Sequence, residues 1–148
     1  MDIRKAVLED LEVLVDFQYK MALESENLEL DRVVLTEGVK NAITDPNKAS
    51  VYVAENNGAI VGSLMITLEW SDWRNGWVWW IQSLYVVPEF REKGVFKQMY
   101  SYLQEVVRGR EDVKGIRLYV DQSNFRAQKV YQAIGMCGEH YTTYEWLK

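Results

Sequence analysis

The sequence is poor in the residues and patterns that would announce several common functions. It holds one cysteine and one histidine, has fewer basic than acidic residues, and has no long apolar run. Cys137 cannot form an intrachain disulfide by itself, and the N-terminal Met-Asp-Ile-Arg-Lys-Ala lacks the apolar core of a secretory signal, so the protein is expected to be cytoplasmic. The most apolar stretch, Trp77 to Ile81, has strand length, whereas a membrane span needs roughly 18 residues. With 17 Lys and Arg against 22 Asp and Glu, the net charge of -5 argues against a nucleic-acid-binding face and mildly favours cationic partners. Neither Cys137 nor His140 has a recognisable partner for nucleophilic chemistry, and no group of residues has metal-ligand spacing. A nucleotide-phosphate loop would need a fuller glycine run with a Lys-Ser or Lys-Thr pair, and none is present.

What remains is a chain of 148 residues, 48% apolar, long enough for one well-buried core and read as a single domain, 1–148. Ile3 to Ala6 reads as a short strand. Leu11, Leu14, Val15 and Met21 share one face of a helix over Glu9 to Glu24, whose acidic start suits the helix dipole. Asp31 is placed to cap a second helix through Ile43, ahead of Asp45-Pro46. Ser50 to Ala54 and Ile60 to Leu68 read as strands around Asn56-Asn57-Gly58, a hairpin signal, and Glu69 to Gly76 reads as a second turn. Four of the six tryptophans crowd between Trp73 and Trp80. Ile116 to Val120 is a further strand, Asn124 to Ile134 a short helix stopped by Gly135, and Cys137 to Leu147 one or two strands.

The organising stretch is Ile81 to Leu103. A buried strand runs into Pro88, and after Gly94 the residues Phe96, Met99, Tyr100, Leu103 and Val107 recur at helical spacing. The intervening turn carries Arg91 and Lys93 beside the glycine. Free backbone N–H groups, the positive end of a helix dipole and two cations at one point make a site for a phosphate.

Here the chain resembles the GNAT superfamily of N-acetyltransferases, whose acetyl-coenzyme A signature is Arg or Gln, two residues, Gly, one residue, then Gly or Ala. The sequence gives Arg91-Glu-Lys-Gly94-Val-Phe96, departing at Phe96, which the helical pattern turns into the core. A second block, from Asn124 through Ala127 and Tyr131 to Gly135, resembles the family's other conserved stretch. The resemblance implies an α/β (α+β) fold with a mixed, mostly antiparallel central sheet flanked by helices, in the order β-α-α-β-β-β-α-β-α-β(-β).

It also implies roles. Coenzyme pyrophosphate would lie on the amides of Glu92, Lys93, Gly94, Val95, Phe96 and Lys97, beside Arg91. The Leu84-Tyr85-Val86 segment would pair with the pantetheine arm and polarise the thioester carbonyl, and Asn124, Ala127 and Tyr131 would border the coenzyme. Tyr131 would protonate the departing sulfur, although an isolated tyrosine on an apolar helix face is more simply a core aromatic. Gln82 stands where many members keep a glutamate base. It cannot accept a proton in that way and would orient the amine or hold a water. Asn124 doubles as a helix cap.

The activity implied is direct transfer of an acetyl group from acetyl-coenzyme A to a primary amine. The acceptor would be a small cationic amine or a protein amine, drawn to Glu24, Glu26, Glu69, Trp70, Asp72 and Trp73 by charge and cation-π contact. Glu69 and Asp72 are also alternative bases acting through water. A non-catalytic acyl-coenzyme A sensor is the rival reading, prompted by Gln82. No nucleic acid, membrane or metal partner is expected, and self-association as a homodimer stays open.

Overall fold

The computed structural model describes residues 1–148. The chain divides into two compact units, Met1–Arg117 and Leu118–Lys148.

The first unit is built on a five-stranded sheet in which sequence order is also spatial order. Its strands are β1 (Asp2–Lys5), β2 (Ser50–Asn56), β3 (Ala59–Ser71), β4 (Gly76–Val86) and β5 (Val113–Leu118). Strands β1 to β4 pair antiparallel. Asn57 and Gly58 both adopt positive φ, 51° and 78°, the geometry a two-residue hairpin turn requires, so this sequence signal is borne out. Trp77 N–H donates to the Asp112 carbonyl at 2.8 Å, just ahead of β5. Strands β4 and β5 therefore leave from the same end and run parallel.

Helices α1 (Leu11–Glu26) and α2 (Arg32–Thr44) cover one face, and α3 (Val95–Arg108) covers the other. The pleat shows the division. A Cβ on Gly62 would lie 3.0 Å from Val95 Cγ1 of α3, so the even-numbered residues of β3 face that helix. Ser63 pairs with Tyr85, whose ring lies 4.9 Å from Phe17 of α1, so the odd-numbered residues face α1. Leu64, Ile66, Met99 and Leu103 are fully buried between sheet and α3. Each such side chain contributes about 1.5–3 kcal/mol. Asp31 caps α2 as expected, its carboxylate accepting from Val33 N–H at 2.8 Å and Val34 N–H at 3.1 Å.

The start of α1 differs from expectation. A turn of 3-10 helix, Leu8–Asp10, precedes it, and Asp10 is no exposed dipole complement. It is buried, accepts from Val7 N–H at 2.9 Å and is held by Arg4 at 2.7 Å, while Arg4 also reaches Glu55. Strand β3 likewise runs on through Ser71, so Glu69 and Trp70 are strand residues and the turn is confined to 72–75.

The second unit begins with the last residue of β5 and contains α4 (Phe125–Ala133). Asn124 caps this helix, its side-chain oxygen accepting from Ala127 N–H at 3.1 Å. Gly135, at φ 90°, ends the helical segment as expected. The strands expected over Cys137 to Leu147 are not present, and no regular element follows α4. Tyr141, Tyr144 and Trp146 supplied an aromatic alternation, yet alternation makes a strand only where a ladder partner satisfies the backbone. All three side chains are exposed.

Candidate active site

The site grows out of an irregularity in β4. Its register with β3 passes from Met65↔Gln82 to Ser63↔Tyr85, so Ser83 and Leu84 stand opposite Leu64 alone. This is a β-bulge, with Ser83 at φ 53°, a left-handed conformation costly for a residue with a side chain. Nothing in the sequence marked it, because serine is not the residue that a positive φ selects. The Ser83 carbonyl accepts from Gln18 Nε2 at 3.1 Å, which ties the bulge to α1. Strand β5 has 6 residues and β4 has 11, and they start level, so β4 from the bulge onward outruns its neighbour. The Leu84–Val86 backbone is thereby placed at an edge.

Beyond β4 the chain makes a 3-10 turn at Pro88–Phe90 and reaches the phosphate-site candidate. Glu92 and Gly94 both take positive φ, 64° and 77°, and no atom lies within 4 Å of where a Gly94 Cβ would be. No side chain caps α3. Its first-turn amides, on Val95, Phe96 and Lys97, lie at the positive end of the helix dipole, with Lys93 and Lys97 exposed around them. Phe96 is buried and its ring lies 6.0 Å from that of Tyr100, so the residue that departs from the family signature turns into the core as expected. An open, uncapped glycine turn flanked by cations fits a pyrophosphate.

Arg91 is engaged within the protein. Its Nε donates to the Val86 carbonyl at 2.9 Å, its guanidinium meets Glu24 at 2.7 Å, and it stands 5.4 Å from the Tyr85 ring centroid. Tyr85 hydroxyl also donates to Glu24, at 3.3 Å. Burial, and then the Glu24 charge, push the Tyr85 phenol above its ordinary value. Glu24 thus reaches the turn end of β4. Glu26, at the end of α1, is exposed.

On the α1 face of the sheet, Gln82 Nε2 donates to Thr67 Oγ1 at 2.5 Å. Glu69 on the same face accepts from Trp80 Nε1 at 2.9 Å and from Arg117 at 2.6 Å. Trp70 points to the other face and packs edge-on against Trp77 at 5.0 Å. Asp72 accepts from Trp73 N–H in the exposed turn, and Trp73 is 90% exposed. Glu69 pairs with Val78 while Glu24 bonds Tyr85, which puts about 20 Å of strand between the two carboxylates at the rise of an extended chain. The six residues expected to attract the amine therefore do not form one cluster.

In the second unit, Tyr131 lies on α4 with its phenol pushed above the ordinary value by burial, which keeps it protonated through neutral pH. Asn124 and Ala127 are joined by the cap described above.

Residues 9–136 match the acetyltransferase (GNAT) family, and the chain belongs to that family. The crystal structure of a possible acetyltransferase from Clostridium difficile 630 superposes with a TM-score of 0.92 at 39% identity, covering 99% of this chain and 97% of that one. An uncharacterized N-acetyltransferase of Archaeoglobus fulgidus is 30% identical over 135 residues, 88% of this chain and 89% of that protein. The aminoalkylphosphonate N-acetyltransferase of Salmonella typhimurium is 27% identical over 107 residues, 72% of this chain and 66% of that protein. The fold expected from the resemblance, a mixed and mostly antiparallel sheet flanked by helices, is the fold observed. No helix is long and apolar enough to cross a membrane.

Proposed function

We propose that this protein is an N-acetyltransferase that moves an acetyl group directly from acetyl-coenzyme A to a primary amine. The observation that carries the reading is the coincidence of the Ser83 bulge, the end of β4 that extends beyond β5 and the open, uncapped turn at Gly94 along one continuous stretch of chain. The GNAT family uses acetyl-coenzyme A, which supplies the acetyl group as a thioester.

The chain's own contribution is positioning and charge. Amides of Glu92 to Lys97 hold the pyrophosphate, with Lys93 and Lys97 as flanking cations. The Leu84-Tyr85-Val86 edge pairs with the amides of the pantetheine arm as a further strand would, and a backbone N–H there polarises the carbonyl. The amine nitrogen attacks the carbonyl carbon, a C–N bond forms and the C–S bond breaks. The sulfur takes a proton from Tyr131, a role assigned on the Asn124–Gly135 block, and the nitrogen loses its proton to water. Gln82 orients the amine and takes no proton. At reference values a thiol near 8.5 and a tyrosine near 10 make the transfer to sulfur uphill by about 2 kcal/mol, so the donor works only when hydrogen-bonded to the sulfur as charge develops.

The test is incubation with acetyl-coenzyme A and a panel of primary amines while free thiol is followed. Amine-dependent thiol release with a stoichiometric acetylated amine supports the reading. Tight coenzyme binding without any acetyl transfer overturns it.

A further inference from the structure

The β3–β4 hairpin is longer than the helix that covers it. A Cβ on Gly62 would meet Val95 at the start of α3, and Arg110, just past the end of α3, stands 5.7 Å from the Trp79 ring centroid. Leu68 pairs with Trp79, so α3 ends at about this level while β3 runs on through Ser71 and β4 begins at Gly76. The overhang carries the edge-on pair Trp70 and Trp77 on the α3 face and Trp73 in the turn. Leu68 is 49% exposed, Trp70 51% and Trp73 90%. Solvent on this face would favour polar side chains, and strand spacing delivers apolar ones instead. The two exposed indoles alone present roughly 300 Å² of surface, the size at which an apolar patch marks an interaction site.

The charges of the turn indicate what covers it. Asp72 accepts from Trp73 N–H at 2.9 Å, Arg74 donates to Ser71 Oγ at 3.4 Å, and neither is in an ion pair within the chain. Neighbouring charges are already engaged: Glu69 with Arg117, Asp112 with Arg110, and Lys114 with the Glu111 carbonyl. A chain of net charge -5 repels copies of itself, so self-association needs a face where charge is matched. One unpaired anion and one unpaired cation beside the tryptophans make such a face. A two-fold contact sets each residue against its counterpart reciprocally, so this pair complements itself twice, whereas a uniformly acidic or basic partner would leave one of the two opposed by its own sign.

We propose that the end of the β3–β4 hairpin is the contact surface of a homodimer, with Trp70 and Trp73 of the two copies packed together and Asp72 of each opposite Arg74 of the other. The surface lies about 20 Å along β4 from the Ser83 bulge at the rise of an extended strand, and the inference is independent of the transferase reading. Two copies bury roughly 600 Å² of indole, and the rest of the turn brings the contact only to the low end of specific interfaces, so the dimer forms in the micromolar range.

The test is sedimentation of the whole chain over a concentration series at low salt, where exposed charges are least screened. A monomer–dimer equilibrium in the micromolar range is expected. Trp73→Ala should raise the dissociation constant by about tenfold or more, with the melting temperature of dilute protein unchanged because the side chain is 90% exposed. Asp72→Arg and Arg74→Asp should each weaken self-association by about threefold or more, since like charges then face across the axis. An equimolar mixture of these two variants restores both opposite-charge pairs and should form a heterodimer tighter than either homodimer, a rescue that damage to the turn would not produce. A parent protein that stays monomeric through the micromolar range overturns the proposal, whether or not its tryptophans then partition into phosphatidylcholine vesicles. So does a dimer indifferent to Trp73→Ala, or a mixture that associates no better than its components.

Discussion

The guanidinium of Arg91 lies 2.7 Å from the carboxylate of Glu24, so the signature arginine is anchored to the end of α1 while its Nε holds the Val86 carbonyl. Both side chains are well exposed, and a pair of this kind is worth only about 0.2–1 kcal/mol. Glu24→Gln is therefore expected to raise the Michaelis constant for acetyl-coenzyme A by about two- to fivefold and to leave that for the amine unchanged. Steady-state kinetics with each substrate varied in turn checks this, and an effect confined to the amine would return Glu24 to the acceptor site.

Gly94→Val places a branched side chain at φ 77°, where valine is strained, and on the open side of the turn. Coenzyme A affinity measured by calorimetry is expected to fall tenfold or more, in about the proportion that phosphate contacts dominate binding. Unchanged affinity in a folded variant would place the pyrophosphate elsewhere.

Tyr131→Phe keeps the ring and removes the proton. Turnover is expected to fall by about 10² to 10⁴ with little change in melting temperature. In the parent protein kcat/KM should climb with pH toward the pKa of the amine, because Gln82 offers no base that titrates near neutrality. The decline at alkaline pH should lie above the ordinary tyrosine value of about 10, since burial raises Tyr131. Gln82→Glu should bend the rise into a plateau at lower pH. A profile already flat at pH 7 in the parent protein would reveal a base among the remaining residues.

Asp10 links pH to stability. The hydrogen bond from Arg4, helped by Val7 N–H and opposed by burial, holds its carboxyl below the usual range. A depressed folded pKa means that the stabilisation is present above the unfolded value near 3.9 and is lost as pH falls through the folded one. Asp10→Asn is expected to be less stable by about 1–2 kcal/mol at pH 7, and the gap should close on acidification below pH 3. Chemical denaturation at the two pH values measures both.

Most of the fold was legible because its signals are local. The Asp31 cap, the Asn57-Gly58 turn, the α3 stripe and the Gly135 stop each depend on a few neighbouring residues whose conformational preferences agree with the fold. What was not legible depends on partners remote in sequence. Asp10 looked like a dipole complement because Arg4 and Glu55 come together only in the folded sheet. Glu69 looked like a turn residue because its strand continues only on the strength of pairing with β4. The aromatic tail looked like a strand, and pairing is what it lacks. The bulge at Ser83, central to the site, arises from register between strands and leaves no mark on residue choice.

The most direct test of the central claim is a single assay, acetyl-coenzyme A with a panel of primary amines, followed by thiol release and by mass spectrometry of the amines. The account predicts one acetylated amine for each thiol released, with both signals lowered by Gly94→Val at subsaturating acetyl-coenzyme A and sharply reduced by Tyr131→Phe. Coenzyme binding with no acetylated product from any primary amine would contradict it.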